Sequence, residues 1–296
     1  MKNSFKKIAK DTNIYLKKYL KNQKKSNLLN PINYGLFPGG KKIRSKILID
    51  IGIIFNVNYN TLIKIGAAVE CIHAYSLIHD DLPCMDNDMI RRGKPSTHVK
   101  FGEATAVLAG NSLFTLAFEI LSDKKLNVND KTKVELIKRL SECSGHTGIA
   151  GGQFLDLNFE KKKVPIKKII EMQSKKTGRL FGFCCIAPVI IAKKENKMIK
   201  KFENIGSKIG LLFQIADDLI DHRGNLNRVG KKTKKDHKQG KATLISLLGY
   251  KNAVIYGNKL RFKIQRELTK YDKKYNSLNK TLEYILHRNK WANINI

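Results

Sequence analysis

The chain has 296 residues, with 57 lysines and arginines against 25 aspartates and glutamates, and a formal net charge of +32. The lysines are scattered through every segment, so a solvated basic surface is favoured over a nucleic-acid-binding stripe. An apolar fraction of 42% with only six prolines allows a sizeable core, and five cysteines without a CxxC pair argue against a disulfide framework or a zinc site.

Apolar residues recur at helical spacing in eight segments, whereas strand signals are few. The predicted helices are residues 5–21, 42–54, 61–79, 103–121, 131–143, 165–191, 198–219 and 243–267. The predicted irregular segments are residues 30–40, 82–98, 123–130 and 222–240. No linker, composition break or short repeat interrupts this pattern, so we predict an all-α protein with a single domain over residues 1–296.

The N-terminal segment is amphipathic, contains Asp11 and has no apolar stretch typical of a signal or transit peptide. The longest apolar run, residues 181–192, includes Gly182 and Pro188 and is shorter than the roughly 20 residues that a membrane span requires. We therefore expect a soluble, cytoplasmic protein without a membrane span.

The first acidic cluster lies in IHAYSLIHDDLPCMDNDMIRRGKPSTH, residues 72–98. Because Pro83 does not fit inside a helix, Asp80 and Asp81 should close the preceding helix and Asp86 should return from the turn beyond it. Carboxylates flanked by apolar residues are costly unless they bind cations. Hard oxygen ligands favour Mg²⁺, which completes its octahedron with water and substrate phosphate.

Basic groups accompany this cluster. His73 precedes Asp80 by two helical turns and so lies on the same helical face. Arg91 and Arg92 supply forked donors that suit diphosphate oxygens.

The second acidic cluster is FQIADDLID, residues 213–221. Gln214, Asp217, Asp218 and Asp221 are related by helical spacing and share one face. Carboxylates at this spacing repel one another and destabilise a helix, and metal binding is the natural compensation.

Three further basic elements are directed at phosphate. In PGGKKIR, residues 38–44, glycines precede a helix start, and Lys41 and Arg44 are three residues apart, which makes a plausible anion site. The other candidate donors are Lys176 and Thr177 of KKTGR, and Lys231 and Lys241 of the lysine-rich loop. Together the motifs describe a pocket with two acid clusters, three divalent ions and donors for two diphosphates, which suits the ionisation of a diphosphate ester.

From about residue 30 to 250 the sequence resembles the short-chain trans-prenyl diphosphate synthase family, most closely its bacterial farnesyl or geranylgeranyl type. The resemblance rests on both aspartate motifs, the GGKxxR element, the RRG and the KTG in family order. It implies a single bundle of antiparallel helices around a deep central active-site cavity, commonly as a homodimer. It also implies head-to-tail condensation of isopentenyl diphosphate with an allylic diphosphate. The chain departs from the family pattern at three positions, with Lys42 where an arginine is expected, Lys234 where a glycine is expected and Ile245 where a proline is expected.

The resemblance implies specific roles for the motif residues. Mg²⁺, three ions per site, is bound by Asp80, Asp81, Asp86, Asp217, Asp218 and Asp221. The catalytic residues are Asp80, Asp81, Asp86, Asp217, Asp218 and Lys176. The allylic diphosphate is held by Arg91, Lys176, Thr177, Gln214, Lys231 and Lys241. Isopentenyl diphosphate is held by Lys41, Arg44, His73 and Arg92.

Product length is predicted from Tyr75 and its neighbour Ser76. Tyr75 stands five residues before Asp80, about 7.5 Å along a helix. An ideal helix places Ser76 and His73 nearer the face of Asp80, so the family pattern, and not this geometry, makes Tyr75 the floor of the product pocket. In that pattern an aromatic residue here is typical of farnesyl diphosphate synthases.

Other interpretations stay open at this stage. Ordinary core packing of Tyr75 would allow a geranylgeranyl product. A noncatalytic partner subunit of a heteromeric synthase should have eroded aspartates, and both clusters are complete here. A terpene cyclase has no need of Lys41, Arg44 and His73, and a nucleic-acid-binding protein leaves the clustered acids unexplained.

Overall fold

A computed structural model describes residues 2–160, 162–223 and 244–291. Helices dominate these residues, and the strands among them form one antiparallel pair, β1 (Ile90–Arg91) and β2 (Lys94–Pro95). The first helices are α1 (Lys2–Lys21), α2 (Leu29–Leu36), α3 (Ile43–Ile54), α4 (Tyr59–Asp80), α5 (Thr97–Phe101), α6 (Glu103–Ser122) and α7 (Asp130–Ser144). They are followed by α8 (Ile149–Phe159), α9 (Ile166–Gln173), a π-helical turn (Ser174–Gly178), α10 (Arg179–Ile191) and α11 (Asn196–Arg223). The last are α12 (Leu244–Leu248), α13 (Tyr250–Leu268), a 3₁₀ segment (Thr269–Tyr275) and α14 (Asn276–Trp291). The all-α prediction is confirmed.

Helix α4 carries the first aspartate motif at its C-terminal end. It begins after Asn58, whose side chain accepts a hydrogen bond from the backbone N–H of Thr61 at 3.2 Å. Leu62, Ile65 and Ile72 are completely buried, and the helix packs against α6, α3 and α1. This packing holds the end of α4 in place.

The π-helical turn carries the KTG element and continues into α10, and both segments closely approach α11, which carries the second aspartate motif. A Cβ atom on Gly210 would lie 2.5 Å from the Cα of Gly178, and one on Gly206 would lie 2.6 Å from the Cα of Gly182. Such contacts exclude any side chain, so glycines at these positions allow the two backbones to touch. The contact brings residues 176 and 177 beside the second motif.

Among the described residues, four helices were not predicted by the periodicity: α2, the short α5, α8 and α14. Helix α2 lies in a segment predicted to be irregular, and its Pro31 falls in the first turn, where a missing N–H costs little. Helix α8 contains Gly151 and Gly152, which lower its intrinsic propensity, so tertiary packing stabilises it. Helix α14 contacts α11, α3 and α13.

By length and composition alone, α4 and α6 are the two described helices that could cross a membrane. In the fold, 72% of the most apolar stretch of α4 is buried, against 44% of that of α6. Packing against neighbouring helices therefore accounts for the apolar composition of α4, whereas α6 keeps an exposed face that includes Leu108.

Candidate active site

The end of α4 and the loop after it bring the first acidic cluster together. The backbone N–H of Asp86 donates to the carbonyl of Asp80 at 2.9 Å, and that of Asp88 donates to the carbonyl of Asp81 at 3.1 Å. The loop thus folds back over the last turn of the helix, and Asp86 returns to Asp80 as the position of Pro83 predicts.

Burial raises the pKa of Asp80 to about 6. The charge of Lys176 opposes this shift, whereas the charges of Asp86 and Asp81 add to it. A carboxylate held in this way gains from a nearby divalent cation, and aspartate oxygens are the hard donors that Mg²⁺ prefers. Within the described residues no group of three acidic, histidine or cysteine side chains is arranged to hold a metal ion.

Asp81 and Arg91 form a buried pair beside Asp80. The Nε of Arg91 donates to the two oxygens of Asp81 at 3.0 and 3.1 Å, its Nη2 also contacts Asp81, and Nη2 lies 3.2 Å from Oδ2 of Asp88. Asp81 is only 2% exposed. In this structure its carboxylate orients Arg91, and its predicted role as a metal ligand remains a prediction.

Lys176 projects from the π-helical turn and pairs with Asp156 of α8. Its Nζ lies 2.6 Å from Oδ2 of Asp156. Burial alone would lower the pKa of Lys176, but the charges of Asp80, Asp156 and Asp86 raise it above its ordinary value, so the ammonium group stays charged. The ion pair links α8 to the first aspartate motif.

Sequence reasoning did not identify Asp156. The one signal in the sequence was that Asp156 is the only charged residue of its segment, IAGGQFLDLNF. Helix α8 can approach the π-helical turn closely because residue 152 is a glycine. A Cβ atom at Gly152 would lie 2.1 Å from the backbone nitrogen of Lys176. A π-helical turn inside a longer helix is frequent at functional sites, and here it interrupts the predicted helix of residues 165–191 at the KTG element.

Thr177, next to Lys176, is connected to the second aspartate motif. Its hydroxyl donates to Oε1 of Gln214 at 3.3 Å, and Nε2 of Gln214 donates to Oδ1 of Asp218 at 2.9 Å. Asp218 is 4% exposed, whereas Asp217 and Asp221 on the same helix are half-buried. The consecutive residues 176 and 177 thus reach the two aspartate motifs from one turn.

A cluster of cations surrounds His73. Nη1 of Arg44 lies 3.3 Å from Nε2 of His73, and the Arg44 guanidinium lies 4.7 Å from the centre of the Phe181 ring. Burial lowers the pKa of His73 well below its usual value, and the charges of Arg44, Arg92 and other cations lower it further. His73 is therefore neutral. The buried Nε of Arg44 has no hydrogen-bond partner among the described residues, so this pocket offers a donor to an anion.

The PGGKKIR element is held by an acid that sequence reasoning also missed. Glu70 of α4, 3% exposed, accepts hydrogen bonds from the backbone N–H of Ser45 at 3.3 Å and from its hydroxyl at 2.9 Å. It also lies 3.6 Å from the Nζ of Lys42, which is buried. Lys42 therefore turns inward as a structural residue.

The glycine turn before α3 meets Arg92. Nη1 of Arg92 donates to the carbonyl of Gly39. Gly40 has a φ of +112°, and a Cβ there would lie 2.4 Å from Nη1 of Arg92. The RRG and GGK elements, whose contacting residues Arg92 and Gly39 are 53 residues apart, thus share one corner of the site. Lys41 of the same turn points to Tyr284.

Tyr75 faces α6. Its ring centre lies 5.0 Å from that of Phe114 and 5.6 Å from that of His79, both edge to face. Burial and the charge of Asp80 raise its pKa to about 12. The hydroxyl of Ser76 donates to the carbonyl of His73 at 3.0 Å and so stays close to its own helix.

Lys231 and Lys241 lie outside the described residues. The other predicted site residues lie in or next to α3, α4, α11 and the π-helical turn, and in the segment after α4 that includes β1. The arrangement supplies two acidic motifs, the forked donors of Arg44, Arg91 and Arg92, and the half-buried ammonium group of Lys176 beside the first motif.

Comparison with known proteins shows which family the chain resembles. Residues 25–285 match the model of the Polyprenyl synthetase family. The chain is 40% identical over 271 residues to the farnesyl diphosphate synthase of Escherichia coli, covering 89% of this chain and 90% of that protein. A solved FPP/GFPP synthase of Zymomonas mobilis has a TM-score of 0.86 and 37% identity, with 96% of this chain and 98% of that chain covered. A geranyltransferase of Helicobacter pylori, solved in complex with magnesium and isoprenyl diphosphate, has a TM-score of 0.82 and 31% identity, with 97% and 98% covered. These matches confirm the resemblance seen in the motifs: the chain belongs to the polyprenyl synthetase family.

Proposed function

We propose that the chain condenses isopentenyl diphosphate head to tail with dimethylallyl and geranyl diphosphate and releases (2E,6E)-farnesyl diphosphate. The observation that carries the proposal is the π-helical turn, where Lys176 acts on Asp80 and Asp86 while Thr177 contacts Gln214, the partner of Asp218. Two consecutive residues of one turn thereby interact with the two acidic motifs. The chain is a prenyltransferase, and farnesyl diphosphate is its better-supported product.

The allylic diphosphate belongs between the two acidic motifs. We assign its oxygens to Lys176, Thr177 and Gln214, with Arg91 of β1. Lys231 and Lys241 complete this assignment from the family resemblance. Asp156 keeps the Lys176 ammonium at the turn, so Lys176 does not have to be ordered when the substrate arrives.

The family is Mg²⁺-dependent, and the donor set fits this ion. Asp80 and Asp86 on one side, and Asp217, Asp218 and Asp221 on the other, would hold it, with Asp81 adjacent; three ions per site is our proposal. When bound, Mg²⁺ neutralises the leaving diphosphate and thereby favours cleavage of the allylic C–O bond.

Isopentenyl diphosphate belongs at the cationic corner around neutral His73. Arg44 and Arg92 supply forked donors, and Lys41 adds a third charge. The isopentenyl double bond then attacks the allylic carbon from which diphosphate departs, and a proton leaves the new chain to the released diphosphate. The residues of the chain orient the two substrates, place positive charge beside each diphosphate and exclude water from the reacting carbons.

Tyr75 sets the product length in this proposal. Its ring is braced by Phe114 of α6, so it cannot swing aside without displacing a second aromatic ring. A twenty-carbon product is the alternative that such a braced ring disfavours.

We further propose that the chain is a cytoplasmic homodimer whose residues 1–296 form one domain. Helix α6 contains no lysine or arginine in a chain of net charge +32, and Leu108 on it is 54% exposed. The exposed apolar side chains Val107 and Leu108, on a helix without basic residues, suit a second copy of the chain. A Leu108→Lys variant should lower the molar mass measured by light scattering, whereas Leu247→Lys, at an exposed position of α12, should not.

The function is tested by incubating the purified protein with isopentenyl diphosphate and geranyl diphosphate, with Mg²⁺ or with EDTA. Products are treated with phosphatase and separated by chain length. A fifteen-carbon alcohol that forms only with Mg²⁺ is expected. A twenty-carbon alcohol would overturn the product assignment, and no product at all would favour the noncatalytic subunit.

A further inference from the structure

Lys41 is exposed at the start of α3, yet its ammonium group is engaged by one specific partner. Its Nζ donates a hydrogen bond to the hydroxyl of Tyr284 and lies 4.7 Å from the centre of the Tyr284 ring. The two residues are far apart in sequence, since Tyr284 belongs to the C-terminal helix α14. A lysine that makes both a hydrogen bond and a cation–π contact loses much of the rotamer freedom that an exposed lysine normally has.

Tyr284 itself is firmly fixed. It is 5% exposed, and its ring centre lies 4.8 Å from that of Phe5 in α1. A fixed, buried phenol is a suitable anchor for a mobile side chain.

A buried polar network attaches α14 to α3, the helix that Lys41 precedes. The hydroxyls of Ser277 and Thr281 donate to the two oxygens of Asp50 at 2.6 and 2.7 Å, and Asp50 also pairs with Lys46. Asp50 and Lys46 are 0% and 1% exposed. Because breaking one partner of a buried pair is costly, α14 keeps a constant position relative to Lys41.

We infer that Tyr284 is a positioning residue that aims the ammonium group of Lys41 at the diphosphate of the isopentenyl substrate. The inference rests on the proposed function, which places that diphosphate beside Lys41, Arg44 and Arg92. One N–H of Lys41 is used by Tyr284, and two remain for diphosphate oxygens. Part of the conformational entropy that Lys41 would lose on binding is thus lost during folding, and the affinity for isopentenyl diphosphate rises.

The Tyr284→Phe variant keeps the ring and removes the hydroxyl. We expect the KM for isopentenyl diphosphate to rise about 3- to 10-fold, the range of one net hydrogen bond. The kcat, the KM for geranyl diphosphate and the melting temperature should remain at wild-type values. If the Tyr284 hydroxyl had a merely structural role, Tyr284→Phe would lower the melting temperature and raise the KM values for both substrates.

The chain offers a matched control pair. The Nζ of Lys201 donates to the hydroxyl of Tyr271 at 3.0 Å and lies 4.8 Å from the centre of its ring. Tyr271→Phe removes the same kind of hydrogen bond outside the site. It should leave both KM values unchanged.

A double-mutant cycle with Lys41→Ala completes the test. If Tyr284 acts through Lys41, adding Tyr284→Phe to Lys41→Ala changes the KM for isopentenyl diphosphate no further. A wild-type KM in Tyr284→Phe, or an effect that persists in the Lys41→Ala background, overturns the inference. Failure of the proposed function looks different, because the wild-type protein then forms no prenyl product or Lys41→Ala leaves the KM for isopentenyl diphosphate unchanged.

Discussion

The ammonium group of Lys176 lies 2.6 Å from Oδ2 of Asp156, and this ion pair ties the π-helical turn to α8. The same ammonium is influenced by Asp80 and Asp86, so the position of α8 determines where the positive charge stands relative to the first aspartate motif.

Replacing Asp156 by Asn should therefore impair catalysis. The Lys176 side chain loses a charged partner and becomes free to move toward Asp80, where it competes with metal ions for the carboxylate. We expect kcat/KM for geranyl diphosphate to fall about 10- to 100-fold, the equivalent of one charge-assisted hydrogen bond. The surface acid Glu171, which pairs with Lys168 and Lys175, provides the control, since Glu171→Gln should change kcat/KM less than twofold. Equal effects of the two substitutions would contradict the assignment.

The raised pKa of Asp80 predicts a pH dependence of stability. Between the ordinary value of 3.8 and the folded-state value of about 6, the folded chain binds more protons than the unfolded chain. In metal-free protein the free energy of unfolding should therefore fall as the pH rises from about 4 to 6 and stay reduced above that. In EDTA at pH 7.5, Asp80→Asn should be more stable than the wild type by about 1–3 kcal/mol, and the difference should vanish near pH 4.

Denaturant unfolding of both proteins at several pH values measures this difference. Addition of Mg²⁺ at pH 7.5 should stabilise the wild type more than Asp80→Asn, because metal binding compensates the buried charge. A stability difference that does not vary with pH would show that Asp80 does not titrate in this window.

The chain of hydrogen bonds from Thr177 through Gln214 to Asp218 requires an amide in the middle. Gln214 accepts with its oxygen and donates with its nitrogen, which a carboxylate cannot do. Gln214→Glu should place a second negative charge against Asp218, raise the Mg²⁺ concentration needed for half-maximal rate and lower kcat at least 10-fold. Thr177→Val removes only one neutral hydrogen bond, and we expect a smaller effect, about 2- to 10-fold on the KM for geranyl diphosphate. Steady-state kinetics with varied Mg²⁺ separate the two outcomes.

Tyr75 should control the product spectrum. Tyr75→Ala removes the ring that packs on Phe114 and opens space toward α6, so the main product should lengthen from fifteen to twenty carbons. Tyr75→Phe keeps the ring and should keep the fifteen-carbon product. Chromatography of dephosphorylated products distinguishes these outcomes, and an unchanged chain length in Tyr75→Ala would show that another residue closes the pocket.

Much of the site could be predicted because its residues occur in short motifs whose residue types and spacing indicate their chemistry. Pro83 after Asp80 and Asp81 marks a helix end, and the spacing of Asp217, Asp218 and Asp221 places three carboxylates on one helical face. Helix α8 could not be predicted in the same way, since Gly151 and Gly152 weaken its periodicity and its stability comes from packing against the π-helical turn.

The sequence by itself therefore determined the helical class, the two aspartate motifs and the kind of chemistry they serve, because these depend on local spacing and residue type. Only the tertiary structure decided which charges meet. It pairs Asp156 with Lys176, turns Asp81 toward Arg91, buries Lys42 against Glu70 and brings Tyr284 to Lys41. Each of these contacts joins segments that are separated along the chain, and their partners follow from how the helices pack, which local periodicity does not encode.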